Sequence, residues 1–458
     1  MLMLNIISSI VEGGGNPLFV GGCVRDELLG IAPKDFDIEV YGLSYEELST
    51  IVSKYGDVDF VGKSFGIVKL RSGELELDFS LPRKDSKNGV GHKGFDVESD
   101  PNMTPEEACG RRDFTINSMM KKPNGEIVDI FNGQKDLRLG FLRPTTVAFY
   151  EDPLRILRGF QFSARFKLIP SQELHAVNPI FFEEFSVLPI SRIWGEWYKW
   201  ATKGKYYSTS LEYLKLTGLL NEYFELSCID GVQQDPEWHP EGDVYIHTGL
   251  VLDWAGKVCE ENNITGDDRC VIIFAALCHD LGKATTTAVI DGRIRARGHE
   301  AAGVDPARSF LTSVGCPEKI IKRVLPLVAN HMVCCQPLSD KAIRRLSDRV
   351  EPASIRELAL LIESDQCGRS PKPQVKSQNL CDMVNRAVML NVLDKKPEPI
   401  ITGDDIVAYG IKQGVEVGKI HKIMYDLQLK GSFKYKDEGL KLLNTVVKQR
   451  KAYLSLKE

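Results

Sequence analysis

LFVGGCVRDELLGIAPKDFDIEVY, residues 18–41, decides how the rest of the chain reads. Leu18–Phe19–Val20 has strand character and runs into Gly21-Gly22, then into a short helix over Val24–Leu29. Glycines let a ligand approach the backbone closely, and a helix start offers unpaired N–H groups to an anion. Gly22 is the residue of closest approach in this reading, and Arg25, one turn into the helix, is within reach of a phosphate. Asp35 and Asp37 stand two apart in the next predicted strand, so period-2 alternation places both carboxylates on one face. Two like charges so close call for a cation between them. A hard divalent ion such as Mg²⁺ suits an oxygen site and keeps positions for water and phosphate. These are the parts needed for metal-assisted in-line phosphoryl transfer. Singly, a GG turn is commonly only a turn and a D-x-D a solvated strand end; their order and spacing carry the signal.

Working outward, Ile38–Tyr41, Ile67–Leu70 and Leu75–Phe79 also read as strands, so the chain to about residue 140 is a mixed unit. From about residue 145 the apolar spacing turns helical. Leu154, Leu157, Phe160 and Phe162 with Phe166 form a buried stripe, and helices are predicted over 211–226, 245–261, 268–281, 299–313, 317–331 and 340–364. Turn clusters at Pro236–Pro240 and Ser370–Gln374 mark boundaries. The 458 residues carry 58 Lys+Arg against 63 Asp+Glu, a net charge of −5. That excludes a wholesale basic coat but allows a local basic groove. No apolar run approaches the roughly 20 residues that span a bilayer, and no basic segment precedes the short apolar N-terminal stretch as in a secretion signal. Eleven cysteines without a C-x-x-C pair indicate reduced thiols and a cytoplasmic protein. From Lys412 onward, eleven Lys/Arg face five Asp/Glu, fitting either a solvated helical face or an RNA-contacting tail.

Two further stretches carry chemistry. In RRDFTIN (111–117), Arg112 suits triphosphate oxygens, and Asp113 and Asn117 suit ribose hydroxyls; the plain alternative is an ion pair opening a helix. In EDPLRILR (151–158), Pro153 and Asp152 make a good helix start. Asp152 and Arg155 are also three apart, on one helix face. Cytosine and adenine both present an amino donor beside a ring-nitrogen acceptor, so a carboxylate and a guanidinium can bind either. Uracil and guanine put a carbonyl where the amino group belongs. A site built to hydrogen-bond one group rejects analogues lacking it by about 10⁴-fold or more. Glu151, four residues before Arg155, can hold it by an ion pair, and Arg158 reaches toward triphosphate. Between these motifs and the strands, the polar, Gly-rich segment from residue 77 to 108, with Arg83, Lys84, Lys87 and Lys93, reads as a mobile loop. Asp78 at its base is either a third carboxylate or a strand cap.

Eight histidines are present, and their order is informative: His247 in VYIHTGL, His279-Asp280 in ALCHDLGKA, Asp365 in ESDQCGR. Imidazole with carboxylate suits a transition metal such as Ni²⁺ or Mn²⁺, which acidifies a bound water for attack on a phosphoester. His299 and His331 are further candidates as phosphate binders or extra ligands, or are plain helix-surface residues. His175, His239 and His421 read as structural.

The combination GG-x-V-R-D followed by D-x-D resembles the head of the class II nucleotidyltransferases, which include tRNA CCA-adding enzymes and bacterial poly(A) polymerases. H…HD…D resembles the metal-dependent HD phosphohydrolases, and the two sets together resemble CCA-adding enzymes that carry an HD body. The resemblance implies an α+β fold: a nucleotidyltransferase head with a small mixed sheet (1–140), an all-α neck with the base-selecting motif (141–230), an HD domain (231–370) and a helical tail (371–458). It implies that RRDFTIN contacts the sugar, that E-D-x-x-R is a protein template for CTP and ATP, and that Asp35 and Asp37 hold Mg²⁺. Many relatives carry an Arg where this chain has Gln161, so that position is assigned no phosphate contact. The partner implied is the tRNA acceptor arm, recognised by shape, with the protein a monomer or homodimer. The HD domain is expected to hydrolyse 2′,3′-cyclic phosphodiesters, 2′-nucleotides and phosphomonoesters. A poly(A) polymerase, a CC-only enzyme, a head retained for binding alone and an HD body serving only as scaffold remain alternatives.

Overall fold

The computed structural model describes residues 2–33, 35–59, 66–72, 75–87, 95–175, 177 and 179–455. The chain divides into two compact units, Met1–Ser227 and Cys228–Glu458.

The first unit is built on strands β1 (Asn16–Val20), β2 (Phe36–Tyr41), β3 (Asp57–Asp59), β4 (Ile67–Ser72), β5 (Leu75–Ser80), β6 (Arg83–Lys87), β7 (Phe95–Ser99), β8 (Met120–Lys121) and β9 (Ile127–Val128). Seven of them form one mixed sheet in the order β3-β4-β5-β2-β1-β8-β9. β2 runs antiparallel to β1 and parallel to β5, with Asp37 opposite Asp78. Alternation along β2 sends Ile38 and Val40 into a core with Ile6, Ile7 and Ile10 of the first helix and with Leu70, Leu77 and Phe79. That leaves Asp37, Glu39 and Tyr41 on the opposite face. Asp35 sits in a bend just ahead of β2 rather than inside it.

The segment expected to be a loop contains two paired strands. β6 and β7 pair antiparallel from Arg83↔Ser99 to Lys87↔Phe95. A polar composition disguised two stretches whose backbone groups satisfy one another across the ladder. Lys93 lies outside the described residues. The helix after Gly21 spans Gly22–Leu28, starting two residues earlier than predicted.

The helical part of this unit centres on Leu154–Phe166, whose Leu157 and Phe160 are fully buried. Phe160 stacks on Trp200 (5.2 Å, 19°) and tilts against Trp197 (4.7 Å) from the helix Ile190–Lys203. Gly159 is required by close approach, since a Cβ there would lie 2.2 Å from the Tyr213 hydroxyl. That hydroxyl donates to the Ile156 carbonyl at 3.0 Å. The predicted helix 211–226 is instead Tyr207–Thr217, stopped by left-handed Gly218, followed by a 3₁₀ turn and Phe224–Ser227.

In the second unit, Val244–Glu261, Gly266–Cys278, Glu318–Asn330 and Ile355–Cys367 pack as the helical core. The predicted helix 340–364 is two, Asp340–Arg349 and Ile355–Cys367, because Pro352 and the capping Ser354 interrupt it. The stretch 299–313 likewise breaks at Gly303. The basic C-terminal helices Val415–Leu429 and Lys436–Ser455 share an apolar core with Ile401 and Ile406. All eleven cysteines are unpaired, and no helix among the described residues is long and apolar enough to cross a membrane.

Candidate active sites

The first candidate site grows from β2. Asp37 stands opposite Asp78 on β5, and Lys69 donates to Asp78 at 3.0 Å. Desolvation pushes the Asp37 carboxyl above its usual range; Arg112 pulls it down, while the Asp78 and Asp35 carboxylates push it up. Asp37 therefore feels two neighbouring carboxylates, a condition that a divalent cation relieves. Asp78, left undecided by sequence, is brought to the same place by strand register. Two residues beyond Asp37, the fully buried Glu39 accepts from Arg111 and Arg112, each at 3.3 Å. It fixes the RRDFTIN segment against the sheet. The signal for it was available, since Glu39 continues the D-x-D alternation.

Gly21, rather than Gly22, is the conformationally demanding residue of the turn. Its φ is 71°, and a Cβ on it would lie 2.9 Å from Arg112 Nη1. Gly22 starts the helix, and a Cβ on it would meet Arg25 Nη2 at an ordinary 3.5 Å. Arg25 does not project freely. It is 4% exposed, pairs with Asp26 at 2.6 Å and donates to Asn117 Oδ1 at 2.5 Å. Asn117 Nδ2 donates to Asp113 Oδ1 (3.0 Å), and Arg158 Nε donates to Asp113 Oδ2 (2.7 Å). Four residues from three separate motifs thus form one hydrogen-bonded chain. Burial alone raises the Asp113 carboxyl, but Arg158, Asn117 and the Phe114 N–H outweigh it, and the net displacement is downward.

At the base-selecting motif the helix begins at Leu154 with Pro153 at the N-cap position, and Leu154 N–H donates to Asp152 Oδ1 (3.0 Å), so the Asp152 side chain caps the first turn from one residue further out than expected. Its other oxygen accepts from Arg192 Nη2 at 3.0 Å. Arg192 lies on the helix Ile190–Lys203, forty residues away in sequence, and nothing local announced it. Arg155 is anchored to the Ala148 and Arg111 carbonyls at 2.7 and 2.8 Å. Glu151 closes the 3₁₀ turn just ahead.

The second candidate site lies in the second unit, where Asp280, His299, His331 and Asp365 line a cavity of about 720 Å³. His247 Nε2 is 3.2 Å from Asp365 and 3.6 Å from Asp280; His279 Nε2 is 3.2 Å from Asp280 Oδ2. His299 Nε2 approaches Asp280 Oδ1 at 3.2 Å, and His331 Nε2 stands 3.8 Å from the same oxygen. All four sequence-predicted residues therefore converge, and the two undecided histidines join them. His279, His299 and His331 each donate Nδ1–H to the carbonyl three residues earlier, at 2.7–2.8 Å, which turns Nε2 inward. His279 Nε2 and both Asp280 oxygens are buried without a hydrogen bond, although Lys283 Nζ lies 2.6 Å from Asp280 Oδ2 as an ion pair. The Nε2 atoms of His299 and His331 face each other at 3.0 Å. With both Nδ1 protons committed to carbonyls, a proton or a metal ion must stand between them. Burial and the nearby His279 push His331 down to about 3, so it offers a lone pair at neutral pH. Inward lone pairs beside orphaned carboxylate oxygens fit divalent metal. Glu241, which contacts His247 Nδ1 at 2.7 Å, and Arg369, which donates to Asp365 at 2.8 Å, were not foreseen.

Residues 18–143 match the Poly A polymerase head domain, and residues 244–352 match the HD domain. With the sheet and its carboxylate cluster, these matches define the class: a nucleotidyltransferase followed by an HD domain. The multifunctional CCA protein of Haemophilus influenzae (strain PittGG) is 36% identical over 304 residues, covering 65% of this chain and 70% of that protein. That of Pasteurella multocida (strain Pm70) is 32% identical over 390 residues, covering 82% and 90%. The chain belongs to the multifunctional CCA protein family. The crystal structure of Bacillus stearothermophilus CCA-adding enzyme in complex with CTP shares the fold, with a TM-score of 0.67 at 19% identity and 98% of each chain covered.

Proposed function

We propose that this nucleotidyltransferase builds and repairs the 3′-terminal CCA of tRNA from CTP and ATP without a nucleic-acid template. The observation that carries the reading is the hydrogen-bonded chain Arg25–Asn117–Asp113–Arg158. It ties the glycine turn, the RRDFTIN segment and the base-selecting helix into one frame, whose Arg112 acts on Asp37. In this reading Asp152 accepts the amino proton of cytosine or adenine, and Arg155, held by two carbonyls, donates to the ring nitrogen. Asp113 and Asn117 orient the ribose; Arg112 and Arg158 face the triphosphate. The tRNA 3′-oxygen attacks the α-phosphorus, the bond to the β-phosphate oxygen breaks, pyrophosphate leaves, and the hydroxyl proton passes to solvent. Mg²⁺ held by Asp35 and Asp37 would supply charge neutralisation and acidify that hydroxyl. The carboxylates that hold it repel one another otherwise, which is why they suit it.

The test is extension, at single-nucleotide resolution, of tRNAs ending before C, after C and after CC, offered CTP, ATP or both. Growth to CCA followed by a stop is expected. Arrest after CC would make it a CC-adding enzyme, and unlimited A addition a poly(A) polymerase.

For the HD domain, the converging imidazoles favour a metal-dependent phosphohydrolase acting on cyclic phosphodiesters and nucleotide monoesters. A transition metal such as Ni²⁺ or Mn²⁺ bound by His247, His279, Asp280 and Asp365 would supply an acidified water. His299 and His331, sharing Asp280 through its other oxygen, would hold a second ion. Hydrolysis of 2′,3′-cyclic AMP by wild type but not by His279→Ala tests it; equal rates would leave the domain a scaffold.

A further inference from the structure

The helix Leu154–Phe166 carries Arg155, Arg158 and Arg165 at steps of three and seven residues, along one side of the helix. Ten residues at 1.5 Å each separate the first from the last by about 15 Å. In the nucleotide frame proposed above, Arg158 faces the triphosphate one turn beyond the base-selecting Arg155, so the phosphates extend toward the far end of this stripe.

Three cations near the far end have carboxylate partners: Arg25 pairs with Asp26 at 2.6 Å, Arg158 with Asp113 at 2.7 Å and Lys199 with Glu196 at 2.8 Å. Lys167, at the helix C-cap, lies over the Tyr206 ring. Arg165, set among the other guanidinium groups, has no such partner. Among the described residues it has no carboxylate within ion-pair distance, and its one hydrogen bond runs from Nη1 to Gln161 Oε1 at a long 3.4 Å. Its guanidinium lies 4.7 Å from the Phe166 ring centre, on a ring that Arg25 also covers at 4.5 Å. Arg25, Arg158 and Arg165 all lie over Phe162, at 5.2, 5.3 and 5.9 Å. Three guanidinium groups therefore crowd two rings, and one lacks a counter-charge. Burial, then repulsion from Arg25, push Arg165 down to about 10 against attraction from Asp26 and Glu196, and Arg158 adds a smaller push. It stays charged at neutral pH, in surroundings that an added anion would relieve.

We propose that Arg165 binds the terminal phosphates of the incoming nucleoside triphosphate. The inference rests on the nucleotide frame proposed above and adds a phosphate contact outside the three motifs. A guanidinium paired to phosphate makes charge-assisted, directional hydrogen bonds that a neutral residue cannot replace.

The experiment is equilibrium binding of CTP, CDP and CMP to the full chain, for wild type, Arg165→Gln and Arg165→Lys. Arg165→Gln is expected to weaken CTP roughly 10- to 100-fold and leave CMP within about twofold, as loss of one charge-assisted contact requires. Arg165→Lys, keeping charge without the fork, should fall between, and it carries the test if the glutamine variant does not fold. Unchanged CTP affinity would overturn the proposal, as would equal weakening of CTP and CMP. So would a raised KM for tRNA with nucleotide binding intact, which would assign Arg165 to the RNA backbone. Wild-type extension of tRNA is measured alongside. Its failure would refute CCA addition while leaving the phosphate dependence of binding readable.

Discussion

Removing the Asp113 carboxylate should cost both stability and nucleotide binding. In Asp113→Ala, the Phe114 N–H and Asn117 Nδ2 lose an acceptor, and Arg158 loses its only ion-pair partner among the described residues. Breaking a fully buried pair costs about 3–5 kcal/mol. Asp113 is 7% exposed but the Arg158 side chain is 35% exposed, so solvent screening reduces this to about 2–3 kcal/mol. The unit Met1–Ser227 is large enough that each kcal/mol moves Tm by roughly 2–4 °C, so a fall of about 4–12 °C is expected at pH 7. Calorimetry of the full chain, with the second unit's transition as internal control, reads it. The pH dependence has a definite sign. The folded carboxyl titrates below its ordinary value of 3.8. Its stabilisation is therefore present above that value and lost as pH falls through the folded pKa. The wild-type advantage should shrink in that acid window. An unchanged Tm at pH 7, or an advantage that grows on acidification, would refute the reasoning. Asp113→Asn keeps the acceptor for Phe114 but places an amide against donors, and should lie between wild type and alanine.

Other outcomes follow from single contacts. Arg192→Ala frees Asp152 Oδ2 and should lower CTP-over-UTP discrimination by about tenfold, the scale of one mispositioned hydrogen bond; an unchanged ratio in competition assays would remove Arg192 from base selection. His331→Ala should reduce bound transition metal, measured by elemental analysis after loading and desalting, from two ions per chain to one; a wild type that holds a single ion shows that a proton bridges His299 and His331 instead. Gly21→Ala forces a left-handed residue against Arg112, at about 1–2 kcal/mol of backbone strain. It should lower kcat for nucleotide addition with a Tm loss confined to the first unit; full activity would mean that the turn relaxes.

Much of this protein is written locally. The strand–GG–helix passage, the alternation of Asp35 and Asp37 before and within β2, and the cap at Asp152 each depend on neighbours within a few residues, so spacing reveals them. The order His247, His279-Asp280, Asp365 was similarly legible, because the metal chemistry of imidazole and carboxylate does not depend on the path of the chain between them. Helix ends were less so. Gly218, Gly303 and Pro352 interrupt apolar patterns that continue across them, and periodicity alone does not see a broken hydrogen-bond ladder.

Only the tertiary structure decided which charges meet. Strand pairing sets Asp78 against Asp37, a register that no local pattern specifies. Helix packing brings Arg192 to Asp152 across forty residues. Folding joins Arg25, Asn117, Asp113 and Arg158 into one chain and turns the His299 and His331 lone pairs toward each other. It also leaves Arg165 without a carboxylate in ion-pair distance among the described residues. Side-chain identity is local information, whereas electrostatic pairing depends on distances of a few ångströms between segments far apart in sequence. The sequence by itself therefore names the chemistry, and the packing of sheet against helix assigns each charge its partner.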